Sequence, residues 1–272
     1  MRRVALLLTG LLVAGCGLSG GGPAPTTPAA PSVRNIGVGI DLPGFGLIDP
    51  ATGVQSGFDI ELAQWLGRNS DPPFTPVLVP VTIGARDDKI VSGETPIVVD
   101  VYSITDRRRE KVGFAGPYLI TEQGVLVRAG DTRIRTLADL SGKAVCTQNG
   151  STSLEQLDQG SVAVTSDIGT MQCVERLLAG QVDAVSTDQL ILHGFAQRNP
   201  ALAVVDGLTF GSDERYGIGL PKGDVELCRR FTDLLRKFIV DGRWDEAFRA
   251  NFGTRLTAAH YKPDPYSLDP CE

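Results

Sequence analysis

Two oppositely charged side chains, Arg108 and Asp188, are the strongest candidates for chemistry in this sequence. The planar guanidinium of Arg108 is able to hold a carboxylate through two parallel charge-assisted hydrogen bonds. Asp188 ends a predicted strand, where its carboxylate can bind an ammonium group with help from the hydroxyl of Ser103. A free α-amino acid carries a carboxylate and an ammonium on one carbon, so these groups together match that class of molecule.

A third candidate lies in the Gly150-Ser151-Thr152 turn, which we predict opens a helix. Thr152 and Glu155 have the spacing of a capping box, and the backbone N–H groups of such a turn would face the same carboxylate as Arg108. Each residue has a structural alternative. Arg108 could belong to a solvated basic run, Asp188 could cap the helix that follows it, and Thr152 could be only a cap.

These candidates lie in a chain where short apolar strands alternate with amphipathic helices, the pattern of α/β layers. The β-branched run 97–101 is typical of a strand buried on both faces. Apolar residues at helical spacing predict helices around 58–66, 174–178, 231–238 and 244–248. The formal net charge of −6, with one basic cluster at 107–111, argues against a nucleic-acid partner. We expect no cofactor.

Four segments, in order, resemble the polar amino-acid-binding family of bacterial solute receptors. They are 57–62 (GFDIEL), 103–108 (SITDRR) continuing to 112–118 (VGFAGPY), 139–143 (DLSGK) followed by 150–152 (GST), and 180–188 (GQVDAVSTD). The resemblance covers about residues 34–253. It implies the α/β two-lobed periplasmic-binding-protein (Venus-flytrap) fold with two hinge strands and the ligand between the lobes. In that family the residues matching Arg108 and Thr152 hold the carboxylate, and the one matching Asp188 holds the amine.

The same resemblance places the lobe boundaries and the side-chain pocket. Lobe 1 would comprise 34–120 and 213–253, lobe 2 would comprise 121–212, and 254–272 would form a C-terminal tail. Asp41 lies where the family often has a carboxylate that contacts the ligand side chain. Asp100 precedes the Ser103 motif at a position that faces the cleft, and Phe45 is a candidate to stack on the ligand. Three carboxylates around one Arg108 would disfavour an acidic ligand, so we expect a cationic or amide side chain such as arginine, lysine, ornithine or glutamine.

The first residues have the layout of an export signal. A positive start is followed by the apolar run 4–14, which is too short to span a bilayer, and 13–16 (VAGC) matches a bacterial lipobox. We therefore expect a signal peptide at 1–15, acylation of Cys16 and a flexible tether at 16–33. An ordinary signal peptide with a chance cysteine is the alternative. The mature chain would lie on the extracytoplasmic face of the cell membrane, held by its lipid.

Four further cysteines remain, Cys146, Cys173, Cys228 and Cys271. An even number in an exported chain favours two disulfides over a metal site, and three pairings are open. We favour Cys146 with Cys173, and Cys228 with Cys271. The second would hold the Pro-rich tail to a helix.

The expected function is capture of a polar amino acid by a monomer and its delivery, through hinge closure, to an ABC permease and its ATPase. Two alternatives remain. One is a sensor that signals through a membrane receptor, which the sequence does not separate from a transport protein. The other is a dehydratase-like enzyme on the same fold, which is disfavoured because His193, the one histidine of the α/β body, lies on an apolar helix.

Overall fold

The computed structural model describes residues 32–157 and 162–272; the predicted signal peptide, Cys16 and the tether up to residue 31 lie outside them. The strands are β1 (Ser32–Val38), β2 (Asp41–Leu42), β3 (Gly46–Ile48), β4 (Gln55–Ser56), β5 (Phe74–Pro80), β6 (Ile97–Val98), β7 (Val112–Arg128), β8 (Ala144–Gln148), β9 (Ala163–Asp167), β10 (Ala184–Asp188), β11 (Leu202–Val204) and β12 (Phe210–Pro221). The helices are α1 (Phe58–Asn69), α2 (Arg86–Val91), α3 (Asp106–Arg109), α4 (Thr152–Leu157), α5 (Thr170–Leu178), α6 (Gln189–Arg198), α7 (Val225–Val240) and α8 (Arg243–Phe252). Short 3₁₀ turns lie at Ile83–Ala85, Leu137–Leu140 and Ala258–His260.

The strands form a two-lobed α/β structure in which β7 and β12 run through both lobes. The strand order is β5-β1-β6-β12-β7-β10-β8-β9, with β11 paired to β7. The first part of β7 pairs antiparallel with β12, and its last part pairs antiparallel with β10. On either side the strands are parallel, β5 with β1 and β8 with β9 and β10. The predicted fold class is therefore confirmed, while the predicted lobe boundaries stay a prediction.

An aromatic cluster joins one early helix to the two last helices of the chain. Helix α1 buries the apolar face predicted from its spacing, including Phe58 and Trp65. The Phe58 ring centroid lies 5.7 Å from that of Trp244, and the Trp65 centroid lies 5.2 Å from that of Phe238. Helices α1, α7 and α8 are thus fixed against one another, although they are far apart in sequence.

The end of β6 brings the chain into an unusual conformation. Only Ile97 and Val98 of the predicted strand 97–101 pair in the sheet, and Val101 has a φ of 39°. A positive φ is strained for a β-branched residue, so neighbouring groups must hold it. The buried carboxylate of Asp59 accepts hydrogen bonds from the Val101 N–H at 2.9 Å and from the Tyr118 hydroxyl at 2.9 Å. Asp59 therefore has a structural role, because it holds both Val101 and Tyr118.

Two disulfides join the pairs of cysteines favoured from the sequence. Cys146 on β8 is bonded to Cys173 on α5, and Cys228 on α7 is bonded to Cys271 in the tail.

The start of the folded part differs from the prediction: β1 begins at Ser32, so the last two residues of the predicted tether belong to a strand. Among the described residues, no helix is long and apolar enough to cross a membrane.

Candidate ligand-binding site

Arg108 is a buried cation at the junction of the lobes. Helix α3 begins after Thr105, whose hydroxyl accepts the Arg108 N–H at 3.2 Å, and the Arg108 side chain turns inward with 3% of the residue exposed. Its Nη1 donates to the Ser103 carbonyl at 2.8 Å, and its Nη2 donates across the cleft to the Gly150 carbonyl at 3.3 Å. Burial, followed in size by the positive charge of the nearby Arg86, lowers the pKa of Arg108 to about 10. At neutral pH the guanidinium is therefore still charged and suited to bind an anion.

Asp188 provides the opposite charge at the end of β10. Its carboxylate accepts a hydrogen bond from Gln123 Nε2 at 2.7 Å and another from the Tyr216 hydroxyl, and the residue is 4% exposed. Although Asp188 occupies the N-cap position of α6, its side chain makes no capping hydrogen bond. Burial, followed in size by the negative charge of Glu214, raises the pKa of Asp188 to about 8, so ionising this carboxyl is unfavourable in the ligand-free protein. An ammonium group beside Asp188 would stabilise the ionised carboxylate and so offset that unfavourable ionisation.

Both charges line one small cavity between the lobes, called here the ligand cavity. Its lining consists of Ile83, Arg86, Val101, Ser103, Arg108, Ser151, Thr152, Ser153, Thr187, Asp188 and Ile191. The structure thus brings together four of the residues predicted for ligand binding: Ser103, Arg108, Thr152 and Asp188. They come from a loop, two helices and the end of a strand on both sides of the cleft, so the site is complete only when the lobes are close.

The capping residue of α4 differs from the prediction. Ser151 Oγ accepts the Leu154 N–H at 3.2 Å, so Ser151 caps the helix, and Thr152 is its first residue. Glu155, the predicted second member of the capping box, instead forms an ion pair with Arg107 across the cleft. The shift of one position leaves Thr152 on the cavity wall without a capping role.

Phe45, Asp100 and Asp41, the three residues predicted to contact the ligand side chain, do not line the ligand cavity. Phe45 is fully buried, with its ring edge-on to Phe252 and Tyr216 at centroid distances of 5.0 and 5.7 Å. A ring packed this way has no free face on which a ligand could stack, so the structure does not support that role.

Asp100 and Asp41 lie behind or beside the cavity. Asp100 is 1% exposed and packs against Gly39, where a Cβ atom would lie only 2.5 Å from its Oδ1. Burial raises the pKa of Asp100 to about 6, against the opposing effect of Arg86. Asp41 lines a separate groove between the β2–β4 hairpins and helices α5 and α6, and burial raises its pKa.

Sequence reasoning missed Arg86, a second arginine on the cavity wall. Arg86 is 2% exposed and its Nη1 donates to the carbonyls of Asp100 at 2.6 Å and Val101 at 3.1 Å. Its guanidinium carbon lies 4.3 Å from the centroid of the Tyr102 ring, while that of Arg108 lies 5.2 Å from the same centroid. Arginines at the start of a short helix are usually solvated, so nothing local in the sequence marks this one.

The hinge strands supply the other groups that were missed. Gln123 on β7 bonds both Asp188 and Glu214, the latter at 2.8 Å, and Tyr216 on β12 bonds Asp188. Polar residues buried in central strands are uncommon, and that is the one signal that could have identified them.

A comparison with known families decides what kind of protein has this site. The model of the bacterial extracellular solute-binding proteins, family 3, matches residues 35–254. The chain belongs to this family. Its relatives include the glutamate-binding protein GluB of Corynebacterium efficiens, 35% identical over 92% of this chain and 88% of the relative. The glutamine-binding protein of Geobacillus stearothermophilus is 34% identical over 73% of this chain and 76% of the relative.

Solved structures agree with this family 3 solute-binding fold. An ancestral arginine-binding protein, in a structure with bound arginine, superposes with a TM-score of 0.75 at 29% identity, covering 82% of this chain and 99% of its own. A second structure of such an ancestral protein contains glutamine, with the same TM-score and identity. The names of these relatives therefore span acidic, amide and cationic amino acids on one scaffold.

Proposed function

We propose that this family 3 solute-binding protein captures a polar α-amino acid in the ligand cavity. The observation that carries the proposal is the pair of buried opposite charges, Arg108 and Asp188, on one cavity between two lobes. Arg108 would bind the α-carboxylate, with the hydroxyl groups of Ser151, Thr152 and Ser153 nearby. Asp188 would bind the ammonium group, held in place by Gln123 and Tyr216. The names of the relatives support the same class of ligand.

The same geometry supports hinge closure as the mechanism. Contacts cross the cleft in this structure, from Arg108 to the Gly150 carbonyl and from Arg107 to Glu155. The only continuous connections between the lobes through the sheet, within the described residues, are β7 and β12. A ligand that bridges the two walls favours the closed arrangement by its contacts with both. Closure excludes water from the cavity, and the charged hydrogen bonds between the ligand and the protein become stronger as a result.

We also propose that the protein is a binding protein of an ABC importer, and not an enzyme. One relative is named as an ABC transporter glutamine-binding protein, and the GluB relatives are named for binding. Acylation of Cys16 would tether it to the cell membrane beside a permease and its ATPase, where a monomer would deliver its ligand. Metabolic labelling with a fatty-acid analogue, compared between the natural chain and Cys16→Ser, tests the anchor.

A thermal-shift screen of the twenty amino acids plus ornithine tests the proposed function. A ligand that binds only the folded protein stabilises it by about 2.7 kcal/mol at a hundred times its Kd, so at least one polar amino acid should raise the melting temperature. Calorimetry with the best ligand then tests the site. We expect Arg108→Ala to abolish measurable binding while the fold is retained. A screen with no shift, or an Arg108→Ala variant of unchanged affinity, would show that this cavity is not an amino-acid site.

A further inference from the structure

A second buried carboxylate, that of Glu214, lies near Asp188 on the hinge strand β12. Glu214 is 3% exposed, and its Oε1 accepts hydrogen bonds from two neutral amides, Gln123 Nε2 at 2.8 Å and Gln156 Nε2 at 3.1 Å. Within residues 32–157 and 162–272, no cationic side chain forms an ion pair with it. Burying a carboxylate without an ion pair is unfavourable, and the contacts proposed for the ligand do not use this one. Its role therefore lies in the groups that it holds.

Gln123 connects Glu214 to the residue proposed to bind the ammonium group. Gln123 is fully buried on β7, and its Nε2 donates both to Asp188 at 2.7 Å and to Glu214. An amide NH₂ group has two hydrogens, so each carboxylate receives one of them. Tyr216 follows Glu214 on the same face of β12 and donates to the other oxygen of Asp188. Both hinge strands thus fix the Asp188 carboxylate, and Glu214 fixes the amide that holds it.

Gln156 connects the same carboxylate to the helix that faces the ligand carboxylate. It lies on α4, one turn after Thr152 and Ser153, which line the ligand cavity. Its side chain packs against Gly211, where a Cβ atom would lie only 1.6 Å from the Gln156 Oε1, so only glycine leaves room for it. Through two neutral donors, Glu214 therefore holds both the ammonium side and the carboxylate side of the proposed site.

Glu214 also acts on Asp188 through its charge. The two carboxylates share one Gln123 amide in a poorly solvated space, where a like charge disfavours ionisation. Burial is the largest cause that raises the pKa of Asp188, and the charge of Glu214 is the second. Among the described residues, the charged or titratable groups that face Glu214 are Asp188, Arg108 and Tyr216. Tyr216 stays protonated, because burial raises its pKa well above the usual value.

We propose that Glu214 is a positioning residue of the ligand cavity, which holds Asp188 and α4 in place and whose charge sets the pH range of ligand binding. This inference rests on the proposed function, since it assumes that Asp188 binds the ammonium group. A protonated Asp188 offers no charge to that group, so the ligand must displace a proton wherever Asp188 is kept neutral. Removing the charge of Glu214 therefore moves the onset of binding to lower pH.

Glu214→Gln is a clean test, because both donors bind the same oxygen of Glu214. A glutamine keeps that Oε1 for Gln123 and Gln156, so the charge is lost and the two hydrogen bonds remain. Calorimetry with the best amino acid, at pH 6, 7 and 8 in buffers of different ionisation enthalpy, gives the Kd and the number of protons released. We expect the ratio of the Kd at pH 6 to that at pH 8 to fall by about 3-fold or more in the variant, with fewer protons released at pH 7.

A merely structural role for Glu214 predicts a different result. The Kd would then rise by the same factor at every pH, the number of protons released would not change, and the proposal would be overturned. If the unmodified protein binds an amino acid without releasing protons, Asp188 does not hold the ammonium group, which overturns this proposal and leaves amino-acid binding intact. Absence of binding by every amino acid would overturn the proposed function as well.

Glu122→Gln is the matched control. Glu122 precedes Gln123 on the same hinge strand, but it is exposed and points to the opposite face, where water and salt screen its charge. This variant should keep the ratio of the two Kd values, and an equal fall in both variants would overturn the proposal. Where Glu214→Gln does not fold, Gln123→Met removes the shared donor and keeps both carboxylates. It should release more protons at pH 8 than the unmodified protein does, and an equal or smaller number would contradict the proposal.

Discussion

At the scale of single residues, Asp188 makes ligand binding depend on pH. Burial raises its pKa to about 8, so in the ligand-free protein a large fraction of this carboxyl is protonated at neutral pH. A bound ammonium stabilises the ionised form, so binding lowers that pKa and releases a proton. The affinity should therefore rise from pH 6 to pH 8 and level off above, with a change of about 10-fold or more over this range. The other groups facing Asp188 are Gln123, Tyr216, Glu214 and Arg108.

Calorimetry at pH 6, 7 and 8, in buffers with different ionisation enthalpies, measures both the affinity and the protons released. Asp188→Asn is the control, because it keeps the shape and removes the titration. This variant should bind more weakly at pH 8 and lose most of the pH dependence. An affinity that is flat or higher at pH 6 would mean that Asp188 does not hold the ammonium group.

The residues that the sequence did and did not identify differ in a physical way. Arg108 and Asp188 lie in motifs and their chemistry is complementary, so they could be proposed without a structure. Arg86 could not, because its burial depends on the carbonyls of Asp100 and Val101 and on the Tyr102 ring, which lie 14 to 16 residues away in the sequence. The sequence correctly placed three further residues shortly after strands, namely Asp41, Phe45 and Asp100. Tertiary packing, however, determines whether each of these side chains faces the cavity or the core.

At the scale of elements, α3 and α4 lie across the cleft from each other and are joined by the ion pair of Arg107 and Glu155. Both side chains are half-exposed, with 59% and 50% of their surfaces accessible. Exposed ion pairs contribute about 1 kcal/mol or less and are screened by salt. We expect Arg107→Ala to weaken ligand binding by no more than about 5-fold at low salt, and by less at high salt. Titrations at two ionic strengths measure this.

Arg108→Ala is the variant to compare with Arg107→Ala, because the two arginines are adjacent in one short helix. Loss of all binding in Arg107→Ala would contradict the division of roles, in which the exposed residue supports closure and the buried one holds the ligand.

The boundaries of the helices show which structural features could be predicted from the sequence and which could not. Long helices with a clear apolar face, such as α1 and α7, matched the sequence pattern. The start of α4 did not, because Ser151 and Thr152 are equally good capping residues and only geometry decides between them.

At the scale of the whole molecule, the alternation of strands and helices predicted the α/β layers, and the resemblance to the solute-receptor family predicted the two lobes. The closeness of the lobes was not predictable from local pattern, since it depends on contacts such as Arg108 with Gly150, which are far apart in sequence. The C-terminal tail shows the same limit. A disulfide from Cys228 to Cys271 was expected to hold the tail on a helix, but the tail also contacts both hinge strands.

The tail contacts β7 and β12 in addition to helices α3, α7 and α8. The Asp269 N–H donates to the Gly116 carbonyl at 2.7 Å, and the Asp269 carboxylate pairs with Arg109 at 2.6 Å and with Arg215. On β7, the Ile120 N–H donates to the Tyr261 carbonyl at 3.0 Å. The tail is thus part of the folded body at the base of the hinge.

We therefore expect the Cys228–Cys271 disulfide to matter for stability and little for ligand affinity. It closes a segment of 43 residues, for which the chain-entropy account gives about 4 kcal/mol of stabilisation. The double substitution Cys228→Ser with Cys271→Ser should lower the melting temperature of the ligand-free protein. Its Kd should change by less than about 3-fold, because the ligand cavity contains no residue of the tail. Thermal unfolding followed by circular dichroism, together with calorimetry, measures the two effects, and Cys146→Ser with Cys173→Ser is the matched variant at the other disulfide. If the tail variant instead lost affinity while keeping its melting temperature, the tail would control hinge closure and not the stability of the folded body.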